Sequence, residues 1–193
     1  MSDPTLRALV DEPDPAFKAG LEEALDGLDD PEALTSFLVR NPVVFERLTT
    51  RMATLDDVAA FAEDDGPAVA QYLRVLWTAV EVATGTLPPV SQAVTMDTSV
   101  QWVATDSPVT FHAESDPDPA SGGVSGGPGE LPGAEITFEG PTGVLFAMLG
   151  DDEFDPVAAF MAEQYTVDGP LERAQAFAEM MDAVVAQMRS VSR

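Results

Sequence analysis

The feature that most limits the fold of this chain lies in its last sixty residues, Ala134 to Arg193, where the hydrophobic period changes three times with a turn signal at each change. Ala134, Ile136 and Phe138 alternate with Glu135, Thr137 and Glu139, the period of a strand with one buried face. Gly140-Pro141 ends it. Val144, Leu145, Met148 and Leu149 then recur at helical spacing. Asp155-Pro156 opens a second short helix carrying Val157, Phe160 and Met161, with the aspartate as N-cap and proline at the first helical position. Gln164 to Asp168 returns to strand, and Gly169-Pro170 stops it. A long helix follows with Leu171, Ala174, Ala178, Met181, Val185 and Met188 on one face, widened by Phe177, Met180 and Val184.

A chain of 193 residues can bury about 70% of its unfolded surface, so one domain with an elaboration is expected, two small domains being the other arrangement. The absence of cysteine excludes a disulfide framework and thiolate metal ligation. Met1 to Glu12 is acidic and lacks the basic start and apolar core of a signal peptide. No apolar run approaches the roughly 20 residues that span a bilayer, so a cytoplasmic protein without stable membrane insertion is expected. Thirty-four acids against nine bases give a formal net charge of −25, and only Lys18 among the bases is a lysine. Such a surface repels nucleic acid. With 45% hydrophobic residues in clear periodicity the chain should nevertheless fold. The composition resembles that of salt-in halophiles, where molar salt screens self-repulsion over about 3 Å. A solvated surface group is the ordinary reading of any single carboxylate here.

Residues 1 to 90 read as helical, with Asp3-Pro4, Asp14-Pro15 and Asp30-Pro31 each suited to an N-cap followed by proline. Candidate helices are Ala16 to Leu28, Glu32 to Arg40, Val43 to Met52, a short one after Leu55, and Ala68 to Ala83, whose face holds Tyr72, Leu76 and Trp77. Beyond them, Val100 to Thr105 and Val109 to Glu114 read as strands. The glycine-rich run Ser121 to Gly129 reads as a flexible loop, so a third strand there should be short or frayed.

His112 is the sole histidine, which rules out a catalytic pair elsewhere and any multi-histidine metal site. It alternates with Phe111 and Ala113 and should face away from the core. Asp151-Asp152-Glu153-Phe154-Asp155 lacks the glycine and terminal glutamate of an EF-hand loop and reads as a turn plus a helix cap. The glycine-rich run has no lysine and is no phosphate loop. Asp29-Asp30 and Asp64-Asp65 are sequence neighbours, which seldom face one site, and no Gly-x-Ser-x-Gly occurs, so a hydrolase has no constellation behind it. No catalysis, cofactor or metal is expected. Met180, Met181 and Met188 with Phe177 suit either ordinary core or the adaptable lining of a ligand cavity.

Ala134-Glu135-Ile136-Thr137-Phe138, then Asp155-Pro156, Ala159-Phe160-Met161 and Tyr165-Thr166-Val167-Asp168-Gly169, resemble the C-terminal half of the sterol carrier protein-2 family. Glu163 stands where family members usually carry glycine. The resemblance implies an α+β fold: a sheet of four or five mostly antiparallel strands covered by helices, spanning residues 66–193, with residues 1–65 as a helical N-terminal extension. That extension is either a cap on the same core or a lid or docking face. In the family the final helix, the helices between the last two strands and the inner face of the sheet enclose an apolar tunnel for sterols, acyl chains or other lipids. Carried over, this implicates Phe146, Leu149, Phe160, Met161, Phe177, Met180, Met181 and Val184, with Trp102 and Phe111 on the first hairpin. The implied function is non-catalytic binding of a sterol, isoprenoid or acyl-chain ligand. The alternative is a non-catalytic accessory module docked on a partner enzyme of lipid or quinone metabolism, since such domains also occur in acetyltransferases, alkyl sulfatases and a ubiquinone-biosynthesis factor. From Val75 to Glu172 there is no lysine or arginine, so the ligand should have a neutral or small polar head.

Overall fold

The computed structural model describes residues 3–28, 30–118 and 122–191. Helices come first: α1 (Asp3–Leu9), α2 (Asp14–Leu25), α3 (Pro31–Arg40), α4 (Pro42–Ala53), α5 (Val58–Asp64), α6 (Gly66–Thr86) and α7 (Pro88–Ser91). Then follow β1 (Thr98–Ala104), β2 (Thr110–Asp116), β3 (Gly123–Pro128), β4 (Ile136–Gly140), α8 (Thr142–Gly150), α9 (Pro156–Met161), β5 (Thr166–Asp168) and α10 (Leu171–Val191). The fold is α+β, as expected.

Aspartate side chains cap the starts of α3, α6 and α9. The Asp30 carboxylate accepts from the Ala33 amide at 2.9 Å, and Asp155 accepts from Val157 and Ala158 at 3.0 and 2.9 Å. Asp14 departs from this pattern. Pro13 takes the N-cap position of α2, and the Asp14 carboxylate pairs instead with Arg51 of α4. Asp29 lies outside the described residues.

The five strands are ordered β3-β2-β1-β4-β5, antiparallel except for the parallel pair β1–β4. Because β3 and β4 run the same way from opposite sides of the sheet, residues 129–135 must cross it. Three polar residues alternating outward from the buried face hold that crossing. His112 Nδ1 donates to the Gly129 carbonyl at 3.0 Å, while Gln101 Oε1 accepts from the Leu131 amide at 2.6 Å and Ser99 Oγ from the Glu135 amide at 3.0 Å. His112 therefore faces away from the core, as its alternation with buried Phe111 and Ala113 implies.

The inner face of the sheet is covered by α6 over β3, by α8 over β1 and β4, and by α10, whose Phe177 ring lies 5.9 Å from that of Trp102. A further layer packs outside these helices. Helices α2, α3 and α5 lie on α6, and α4 lies on α8 so closely that a Cβ on Gly150 would stand 2.7 Å from the Thr49 carbonyl oxygen. Helix α8 is apolar on every side because it is sandwiched between sheet and helices. One hydrophobic cluster runs from Leu6 to Val184.

The glycine-rich run is not the loop that its composition suggests. Gly123–Pro128 forms a regular strand paired with β2 along its whole length, while Ser121 lies outside the described residues. Two of its glycines, Gly123 and Gly126, lie where α6 presses on the strand. A Cβ on Gly126 would stand 2.8 Å from the Trp77 ring, and one on Gly123 would stand 2.9 Å from Thr84 Oγ1, which itself accepts from the Val124 amide at 3.0 Å.

Candidate functional site

Cross-strand register builds the centre of the apolar layer. Trp102 of β1 stands opposite Phe111 of β2 and Phe138 of β4, so the three rings stack side by side at 4.9 and 5.8 Å. Helices close over this row. Trp77 of α6 and Phe177 of α10 approach Trp102 at 5.8 and 5.9 Å, and Phe146 of α8 meets Phe111 edge-on at 6.0 Å and Tyr72 at 5.9 Å. From Phe138 the rings continue outward through Tyr165 at 6.0 Å to Phe160 of α9 at 5.7 Å.

Of the residues implicated by sequence, Trp102, Phe111, Phe146, Phe177, Met180 and Val184 are buried in this layer. Leu149, Phe160 and Met181 are half-buried at its margin. Met161 is not brought in. It is 76% exposed and, with Val157 one turn earlier, forms an outward apolar face on α9, whose buried residue is Ala159. The phase of α10 also differs from the sequence reading: Phe177, Met180 and Val184 are its buried centre, and Leu171 is 55% exposed. Trp77, Tyr72, Phe138 and Tyr165 belong to the layer but were not among the candidates. Their signal was the inward strand position of Phe138 and the aromatic face of α6.

Polar groups fasten the margins. Tyr165 donates its hydroxyl to the Pro156 carbonyl at 2.8 Å, tying α9 down, and burial together with the Asp155 charge pushes its phenol upward. At the start of α10, Arg173 donates to Glu135 Oε2 at 2.9 Å and also bonds the Asp97 carbonyl. This guanidinium, helped by the Thr98 hydroxyl, holds the Glu135 carboxyl below its ordinary range. A depressed carboxyl adds stability above its unfolded pKa, and that stability is lost as pH falls through the folded value. Near its end, α10 is tied by Arg189 to Asp152 at 2.7 Å and to Glu46 at 3.4 Å. Asp151 accepts from the Glu153 amide at 2.9 Å and Asp155 caps α9, so the acidic run is a turn and a cap.

Elsewhere, a depression of about 270 Å³ lies between α2 and α5, where Lys18 pairs with Asp57 at 2.5 Å above the Phe61 ring. Among the described residues no helix is long and apolar enough to cross a membrane.

No family model and no curated protein matches the chain. Among solved structures it is similar to the stereoselective inverting sec-alkylsulfatase Pisa1 from Pseudomonas sp., with a TM-score of 0.43 and 17% identity over 93% of this chain and 29% of that one. A double mutant of the sec-alkyl sulfatase PisA1 gives a TM-score of 0.39 and 16% identity over 88% of this chain and 32% of that one. The chain thus spans under a third of the length of either structure.

Proposed function

We propose that the chain binds a hydrophobic ligand of the sterol, isoprenoid or acyl-chain type between the sheet and α10, without catalysis, in the manner of the sterol carrier protein-2 family. The observation that carries this reading is the file of rings from Trp102 through Phe138 and Tyr165 to Phe160, an apolar series that runs from the buried centre of the sheet to half-buried Phe160 of α9. A six-residue helix that turns Val157 and Met161 to solvent has little apolar contact to lose on opening. Half-buried Met181 and Met148 border the layer, and methionine adapts its shape at low cost. The sole imidazole is on the far face of the sheet, bonded to Gly129, and takes no part.

Met181→Trp tests this site. It is expected to weaken binding of a long-chain alcohol about tenfold, read by displacement of a bound fluorescent lipid, and to cost less than about 1 kcal/mol of stability. A loss of about 1–3 kcal/mol with unchanged affinity makes the face plain core. The accessory-module reading draws on Val39 and Val43, exposed by 78% and 61% where α3 meets α4. Organic extracts of purified protein free of lipid, together with a stable complex in a pulldown at high salt, favour that reading instead.

A further inference from the structure

Buried polar groups need partners, and most of those among the described residues have them. Thr84 donates to the Val80 carbonyl at 2.9 Å, Ser115 to the Met96 carbonyl at 2.8 Å, and Thr142 to Asp106 at 2.6 Å. The Nε atoms of Arg51 and Arg173 also lack a hydrogen bond, but both guanidiniums are held by carboxylates. Trp77 differs. It is 1% exposed, and among the described residues its indole Nε1–H has no acceptor. A donor left in this state costs more than an ordinary hydrogen bond gains, and calls for an explanation.

One edge of the indole packs closely on the strand beneath it. Its Cδ2 and Cε3 edge lies against Gly126 of β3, so tightly that a Cβ there would stand 2.8 and 3.0 Å from those atoms. Nε1 is on the opposite edge of the ring, directed away from β3, and the ring adjoins the Trp102 stack at 5.8 Å. No lysine or arginine occurs from Val75 to Glu172, so a neutral N–H is left to recognise a polar head in the apolar layer.

We infer that the Trp77 indole N–H is the anchor for the head of the bound lipid, selecting a neutral head with a hydrogen-bond acceptor, a carbonyl or hydroxyl oxygen. This rests on the lipid-binding reading and assigns its specificity. A phosphate head would leave charge unpaired in the apolar layer, whereas a plain hydrocarbon would leave the donor unpaired.

Trp77→Phe keeps an aromatic ring and removes the donor. The experiment is displacement of a bound polarity-sensitive dye in about 3 M KCl, by a long-chain methyl ketone and by the alkane of equal length. The ketone is expected to lose roughly three- to tenfold in affinity in the variant, and the alkane to lose none. A second readout needs no variant: the Trp77 indole proton, assigned through its contacts with Gly126, should move downfield on adding ketone and stay in place on adding alkane. Equal losses for both compounds overturn the anchor while lipid binding stands. An indole proton already downfield in the free protein and unmoved by ketone overturns it too, assigning the bond to ordered water. If the wild-type protein binds neither compound, the lipid-binding reading falls and the anchor with it.

Discussion

Glu163 shows how much one backbone angle can carry. Helix α9 ends in the two bonds of a Schellman motif, from the Gln164 amide to the Ala159 carbonyl and from the Glu163 amide to the Phe160 carbonyl, each 3.0 Å. That motif needs a left-handed residue, and Glu163 supplies it with φ of 55°. A turn at this position was legible in the sequence, between the helical run that ends at Met161 and the strand-like run from Gln164. That the turn survives without glycine was not, since it depends on Tyr165 and Ala159 being buried on either side. A non-glycine residue in this region costs about 1–2 kcal/mol. Glu163→Gly should therefore stabilise the protein by about 1 kcal/mol and raise Tm by about 2–4 °C, measured by circular dichroism at fixed salt. An unchanged or lower Tm shows that the turn is held without strain.

Among the elements, those that mark themselves by side-chain period were readable and those that mark themselves by missing side chains were not. Strands β1, β2 and β4 alternate Trp102, Phe111 and Phe138 with polar neighbours, and α3 and α9 announce themselves through Asp30-Pro31 and Asp155-Pro156. Strand β3 shows too little alternation, because α6 occupies the space a side chain at Gly126 would fill and leaves Val124 as the strand's buried apolar residue. The long apolar helix α10 was placed correctly but rotated, since methionine and alanine surround it and only contact with Trp102 selects Phe177 as the centre. Met161 was misplaced for the same reason: nothing in a six-residue helix says which apolar flank faces in. Neighbouring glycines of β3 test the account of that strand. A Cβ at Gly126 meets the His112 carbonyl at 2.4 Å as well as the Trp77 ring, whereas Gly127 has nothing within 4 Å. Gly126→Ala should cost about 1–3 kcal/mol in urea unfolding. Gly127→Ala should be neutral or stabilise by up to about 1 kcal/mol. Similar effects at the two positions refute a strand shaped by the helix above it.

At the scale of the whole molecule, thirty-four acids must share a surface with nine bases, and the structure places five of the bases in ion pairs that join separate chain segments. Lys18 joins α2 to Asp57 ahead of α5, Arg47 and Arg51 join α4 to Asp11 and Asp14, Arg173 joins α10 to Glu135, and Arg189 joins it to Asp152 and Glu46. Each is partly exposed, and such pairs contribute only about 0–1 kcal/mol. Added salt weakens these six attractions, but it also weakens the far more numerous repulsions among the remaining carboxylates. The Debye length falls from about 10 Å at 0.1 M to about 3 Å at 1 M, so repulsion over surface distances disappears while contacts of a few Å persist in part. Repulsion should dominate the balance, and folding should strengthen with salt. Each kcal/mol relieved raises Tm by about 2–4 °C for a chain of this size, so a rise of roughly 5 °C or more is expected between about 0.1 M and 3 M KCl. The same comparison on Arg189→Gln adds a local check, because removing that cation leaves Asp152 and Glu46 without their shared partner near the end of α10. Its deficit relative to wild type should be largest at low salt and shrink at high salt, with amide exchange in the last turns of α10 following the same order. A Tm that stays level or falls as KCl is added means that the clamps outweigh the repulsion, and that the net charge of −25 does not govern the stability of this fold.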